Sequence, residues 1–185
     1  MKNRNVLLVG VGGQGTILAA KILSSALLDA GYDIKMSEIH GMSQRGGSVS
    51  TQVRFGEKIY SPVIAKGEAD FICAFEKLEA LRYAEYIREG GTIIVNDYKI
   101  SPLPVLTSDF SYPENIIEKL ERIANLEIVD AAKIAENLGN QKVMNIVLLG
   151  RLSRLLDMEK LDFEKAIKKN ISEKLVELNL KAFKA

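Results

Sequence analysis

The sequence predicts an α/β protein: an open, mostly parallel sheet flanked by helices, with a β-hairpin and a helical C-terminal part. Three observations predict it. Short runs rich in Val, Ile and Leu, the pattern of strands buried on both faces, alternate with stretches whose apolar residues recur at helical spacing. The chain opens with strand, glycine turn and helix, the first half of a βαβ unit. Strand candidates end at residue 130, and only helical patterns follow. At 185 residues, with 47% hydrophobic and 26% charged, the chain suits one domain over residues 1–185, and it holds no repeat, low-complexity tract or linker.

The elements follow in order. Residues 5–9 are a continuous apolar strand closed by glycines, and Ile17, Leu18, Ala20, Ile22, Leu23, Ala26 and Leu27 then lie at helical spacing until Gly31 supplies a stop. Residues 34–39 form a second strand that leads straight into a glycine-rich loop at 40–49. Residues 48–55 alternate, with Val49, Thr51, Val53 and Phe55 on one face, which predicts a half-exposed strand turning at Gly56-Glu57 into residues 58–61 as a hairpin ended by Pro62. Residues 69–75 read as a strand, 76–89 as a helix stopped by Gly90-Gly91, and 92–96 as another strand. Pro102 and Pro104 predict a loop over 97–112 with a short edge strand at Val105-Leu106, before a helix over 113–124. A last strand at 126–130 precedes helices at 131–138, 142–156, 162–169 and 172–183, with Gly139 and Asp157 at the breaks.

Composition excludes several classes of function. With 25 basic and 24 acidic residues the net charge is +1, so no whole-molecule field points to nucleic acid or an anionic membrane. The only cysteine, Cys73, lies in an apolar run and reads as a small buried hydrophobe; one thiol forms no disulfide framework and no iron–sulfur or structural zinc site. The first apolar run breaks at Gly10, too short for a signal segment or a membrane span, and the chain reads as cytoplasmic.

Two glycine constellations carry the chemistry. Gly10, Gly12, Gly13, Gln14 and Gly15 satisfy G-x-G-x-x-G between a strand and a helix, where the glycines allow a tight turn and close packing and the helix N-terminus, opening at Thr16, offers free N–H groups. A Rossmann-like dinucleotide site also wants a carboxylate at the end of the second strand; Asp33 lies near its start and Glu38 nearer its end, so a stand-alone NAD(P)- or FAD-binding oxidoreductase and a non-catalytic nucleotide-binding or regulatory module stay open beside a turn that serves packing or another ligand. The second constellation is His40, Gly41, Met42, Ser43, Gln44, Arg45, Gly46 and Gly47. It is poor helix and poor strand material, and it combines permissive glycines, hydrogen-bonding side chains and a permanent planar cation. It suits an anion or a docking partner. Arg45 paired with Glu38 or Asp70, and His40 in a structural hydrogen bond, are the plainer alternatives; with no second histidine, a multi-histidine metal site is excluded.

The run from Gly10 to Gly15, the run from Glu38 to Val49 and the pair Val53-Arg54 together resemble the gamma-type domain of 2-oxoacid:ferredoxin oxidoreductases, and within it the beta-type subunits of the indolepyruvate branch. Asp70, Glu76, Ala80-Leu81, Asn96, Asn145 and Leu148-Leu149-Gly150 extend the likeness over nearly the whole chain. The resemblance implies an accessory subunit of an enzyme that decarboxylates a 2-oxoacid on thiamine diphosphate, passes electrons through 4Fe-4S clusters to ferredoxin and hands the acyl group to coenzyme A. This chain lacks the thiolates for a cluster and a Gly-Asp-Gly diphosphate and magnesium signature, so those parts belong to a larger catalytic subunit, and the chain alone is expected to be inactive. It further implies that His40, Ser43, Gln44, Arg45, Gly46 and Gly47 meet substrate, coenzyme A or the partner's active site, with Gln14 and Thr16 lining the same crevice and no catalytic residue assigned to this chain. Leu152, Leu155 and Leu156 are either core or part of a partner interface, and a homodimer stays open for the isolated chain.

Overall fold

The computed structural model describes residues 3–41, 46–107 and 111–185. Six strands form one sheet: β1 (Arg4–Val11), β2 (Asp33–His40), β3 (Ser48–Gly56), β4 (Ala69–Ala74), β5 (Ile87–Asn96) and β6 (Asn125–Val129), in the order β2-β3-β1-β4-β5-β6. The β1–β4, β4–β5 and β5–β6 ladders are parallel, and β3 alone runs against its neighbours. The helices are α1 (Thr16–Asp29), α2 (Lys77–Arg82), α3 (Leu103–Thr107), α4 (Ile116–Glu121), α5 (Ala131–Asn137), α6 (Met144–Leu156), α7 (Phe163–Asn170) and α8 (Glu173–Lys184). None among the described residues is long and apolar enough to cross a membrane.

The alternating side chains of β1 divide the core. Val6 and Leu8 pack with Ala19 and Leu23 of α1 and Ile146 and Leu149 of α6, whereas Leu7 and Val9 pack with Ala80 of α2 and Ile116 and Leu120 of α4. Each large aliphatic side chain so buried contributes about 1.5–3 kcal/mol. Leu152 and Leu156 are fully buried in the first layer and Leu155 packs against it, so these leucines serve the core.

The structure departs from the sequence-based expectation at five places. The hairpin is not 48–61 but β2–β3, paired from Asp33↔Gly56 to His40↔Val49, and residues 58–61 form no strand. They belong to a segment that covers the sheet, with Ile59 and Ile64 buried and the Ile64 N–H donating to Gln52 Oε1 at 2.6 Å. Strand β3 is for the same reason buried on both faces rather than half exposed. The helix expected over 76–89 stops at Arg82, and Gly90-Gly91 lies inside β5, where the register against β4 jumps from Ala69↔Ile87 to Phe71↔Thr92. Those glycines absorb a bulge instead of ending a helix: Gly90 has φ 69°, a left-handed backbone that glycine adopts without strain. Val105 and Leu106 are helical within α3, not an edge strand. Finally α4 begins at Ile116 because Asn115 before it turns left-handed, with φ 55°.

Candidate functional site

Strand pairing brings the two glycine constellations together. Gly10 stands opposite Val49 and Val11 opposite Ser48, and beyond the ladder the Gly12 N–H donates to the Gly47 carbonyl at 2.8 Å while the Gly46 N–H reaches the Gly12 carbonyl at 3.5 Å. Both segments therefore sit at the carboxyl ends of β1 and β2 and at the start of α1, the end of an open α/β sheet where ligands bind. Between them lies an open cleft of about 470 Å³, lined by Gly12, Gly13, Gly15, Thr16, Ile17, His40 and Val49.

Its electrostatics come from the backbone. The N-cap of α1 is Gly15, left-handed at φ 81°, with no side-chain cap and no acidic residue in the first turn. Among the described residues no side chain caps the leading N–H groups, which lie at the positive end of the helix dipole. Ile17 and Val49 supply apolar wall, and Thr16 is buried at the floor. His40 is exposed at the rim, its Nδ1 3.3 Å from the Gly41 carbonyl.

Several expected residues serve the scaffold instead. Gln14 braces the turn: its Oε1 accepts the Val11 N–H at 2.8 Å and its Nε2 donates to the Phe75 carbonyl at 2.9 Å. Gly10 provides the close packing between turn and strand, since a Cβ there would lie 2.9 Å from both Gln14 Oε1 and Phe75 Cβ. Gly15 admits α6, where Asn145 Nδ2 donates to the Gly15 carbonyl at 3.2 Å. Asp70, offered as a partner for Arg45, accepts the Asn5 N–H at 2.8 Å and Arg88 Nε at 2.7 Å, near the start of β1 and away from the glycine loop. Met42, Ser43, Gln44 and Arg45 lie outside the described residues.

The pairing also bears on the dinucleotide alternative. Glu38 faces Thr51, which faces Leu8, so Glu38 stands two strands from β1 and two residues short of the level of Gly10. The strand beside β1 on that side is the antiparallel β3, whose first residues are Ser48, Val49 and Ser50. Neither Asp33 nor Glu38 therefore stands on the strand next to β1, where the dinucleotide geometry places its ribose-holding carboxylate.

Cys73 is wholly buried in β4, and burial pushes its thiol up to about 12. It is unsuited to ligating a cluster, and among the described residues no group of three or more His, Cys, Asp or Glu is placed to hold a metal ion. Sequence reasoning missed Glu79, which is 4% exposed and accepts the Ser48 hydroxyl and Arg82 Nε. The available signal was Glu76-x-x-Glu79 at a helix start, where the Glu76 side chain accepts the Glu79 N–H at 3.0 Å.

The family model described as pyruvate ferredoxin/flavodoxin oxidoreductase matches residues 5–185. The indolepyruvate oxidoreductase subunit IorB of Pyrococcus horikoshii is 39% identical over 191 residues, which span 99% of this chain and 94% of that protein. The gamma subunit of the keto/oxoacid ferredoxin oxidoreductase from Geobacter sulfurreducens superimposes with a TM-score of 0.69 at 25% identity, over 97% of this chain and 94% of that one. The 2-oxoglutarate:ferredoxin oxidoreductase of Magnetococcus marinus shares the fold with a TM-score of 0.77 at 21% identity, over 99% of this chain but 30% of its own longer chain.

Proposed function

The chain belongs to the pyruvate ferredoxin/flavodoxin oxidoreductase family, and from that membership we propose that it is the gamma-type accessory subunit of a cytoplasmic 2-oxoacid:ferredoxin oxidoreductase. Its substrate is indolepyruvate or another aryl pyruvate, a reading supported by 39% identity to a subunit named for indolepyruvate. Residues 1–185 act as one gamma-type domain. Thiamine diphosphate, magnesium and the 4Fe-4S clusters sit on a larger catalytic subunit that delivers electrons to ferredoxin; the donor set here, one buried thiol, does not fit a cluster.

The part left to this chain is binding. We assign the cleft between the glycine segments to the phosphates of coenzyme A. The observation that carries this is the Gly12–Gly47 hydrogen bond, which joins the uncapped start of α1 to the glycine loop in one anion-receptive crevice. The helix end contributes about 0.3–1 kcal/mol of attraction to an anion at an exposed site, and up to about 2 kcal/mol in a partly buried one. Arg45, next in sequence to Gly46, adds charge-assisted hydrogen bonds to the same anion. His40 stands at the rim, and the apolar wall of Ile17 and Val49 receives the uncharged body of the ligand; Ser43 and Gln44 are assigned to contact with substrate, coenzyme A or the partner's active site on the family resemblance alone. The NAD(P)- or FAD-binding alternative loses support through the position of Glu38.

The test is reconstitution. Purified alone, the chain is colourless and inactive with indolepyruvate, and addition of the larger subunit restores coenzyme A-dependent reduction of ferredoxin. Arg45→Ala in the complex raises KM for coenzyme A and leaves KM for the 2-oxoacid in place. Oxidation of a 2-oxoacid by this chain alone, or an Arg45→Ala complex with unchanged constants, would overturn the reading.

A further inference from the structure

Two buried carboxylates stand beside the cleft without lining it. Glu76 and Glu79, at the start of α2, are 1% and 4% exposed. A buried carboxylate persists only where its lone pairs are filled, so its partners report what it holds. Glu76 accepts the Glu79 N–H with one oxygen; with the other it accepts the Ile100 N–H at 3.1 Å and the Tyr112 hydroxyl at 2.6 Å. Glu79 accepts the Ser48 hydroxyl with one oxygen and Arg82 Nε, at 3.1 Å, with the other.

These partners belong to two different surface segments. Ser48 is the first residue of β3 and directly follows Gly47, whose carbonyl receives the Gly12 N–H. Ile100 and Tyr112 bracket the stretch that contains α3, whose Leu103 and Leu106 are 70% and 69% exposed. The helix between them is itself anchored, with Ala80 fully buried against the β1–β4–β5 layer. The start of α2 therefore holds Ser48, at the end of the glycine loop, with the Glu79 carboxylate, and Ile100 and Tyr112 with that of Glu76.

We infer that Glu79 is a positioning residue for the end of the glycine loop at Gly46 and Gly47, acting through the Ser48 hydroxyl, and that α2 couples that loop end to Ile100 and Tyr112. The first residue of a strand is where a ladder frays, and beyond Ser48 the chain is tied to β1 by the Gly12–Gly47 bond and the longer Gly46–Gly12 contact. The Ser48–Glu79 bond closes that fray and fixes the Gly47 carbonyl on Gly12. A displacement at Ile100 or Tyr112 reaches the loop through Glu76, the first turn of α2 and Glu79. The functional side of this inference rests on the cleft being the coenzyme A phosphate site.

Hydrogen exchange on the full chain tests the positioning. Ser48→Ala is expected to speed exchange of the amides at 46–48 and at Gly12 by about tenfold, the loss of roughly one hydrogen bond, and Ser48→Thr, which keeps the hydroxyl, restores protection. Glu76→Gln is expected to speed exchange at Ile100 and also at 46–48; a purely local cap changes only the former. In the reconstituted complex Ser48→Ala raises KM for coenzyme A by about tenfold while kcat and KM for the 2-oxoacid stay within about twofold, and Ser48→Thr reverses it. Unchanged exchange at 46–48 in Ser48→Ala overturns the positioning role, and unchanged exchange there in Glu76→Gln overturns the coupling. Loosened exchange with an unchanged KM for coenzyme A supports the positioning and sinks the assignment of the cleft instead.

Discussion

Replacing Gly15 with alanine tests how the glycine turn, α1 and α6 are fitted together. An added Cβ would lie 2.5 Å from Asn145 Nδ2, 3.1 Å from its Cγ and 3.4 Å from its Cβ. The backbone is left-handed at φ 81°, which costs an L side chain about 1–2 kcal/mol. Asn145 is 3% exposed, so its amide yields only by giving up its bond to the Gly15 carbonyl, at about 1–3 kcal/mol for a buried group left unpaired. Alanine also restricts the unfolded chain, which offsets about 0.4–1 kcal/mol. The net loss is about 1–4.6 kcal/mol, or roughly 2–18 °C in Tm for a domain of this size. Thermal and urea unfolding of Gly15→Ala in the parent and in an Asn145→Ala background separate the two causes: with Asn145 truncated the overlap is gone, and only the backbone cost of about 1 kcal/mol remains. Equal losses in both backgrounds, or a Gly15→Ala protein within about 0.5 kcal/mol of the parent, would refute the packing argument.

Other perturbations have equally definite outcomes. A Cβ on Gly150 overlaps the Phe183 carbonyl oxygen and lies 3.0 Å from its carbon, both backbone atoms, so Gly150→Ala must shift α8; a Tm lower by roughly 6–12 °C, from about 3 kcal/mol of overpacking, is expected in calorimetry. With its thiol pushed up to about 12, Cys73 carries roughly one part in 10,000 thiolate at pH 8. A chromogenic disulfide should therefore react with the native chain far more slowly than with the urea-unfolded one. The Asp33 carboxyl is held below its usual range, first by the Ile59 N–H and then by Lys35. Its folded value is depressed, so its contribution is present above the unfolded value of about 3.9 and is lost as pH falls through the folded value. Asp33→Asn should accordingly flatten the fall of Tm with pH below about 4.

Much of this architecture could be read locally. β1, the glycine turn and α1 follow from one apolar run, one cluster of glycines and one helical period, all within neighbouring residues. The β2–β3 hairpin could not, because His40 and Val49 find each other across a glycine loop and only the pairing to β1 reveals β3 as an interior strand. Gly90-Gly91 looked like a helix stop because a glycine pair punctuates both helices and bulged strands; the shift against β4 decides for the bulge. The same limit applies to the site. Each glycine segment is visible alone, but the bond from Gly12 to Gly47 exists only after β1 and β3 pair. Glu79 was invisible because a charged residue on a short helix reads as surface until Ser48 and Arg82 are seen to fill its oxygens.

The central claim, that the cleft at the start of α1 holds the phosphates of coenzyme A, meets its most direct test in Ile17→Glu. Ile17 lines the cleft and is 36% exposed, so a carboxylate fits there without disturbing the core. A negative charge in the first turn also favours the helix, by about 0.3–1 kcal/mol, so Tm should hold or rise. Steady-state kinetics of the reconstituted complex should then show KM for coenzyme A raised about tenfold or more by like-charge repulsion, with KM for the 2-oxoacid unchanged. An Ile17→Glu complex that is folded, assembled and saturates with coenzyme A as the parent does would contradict the account.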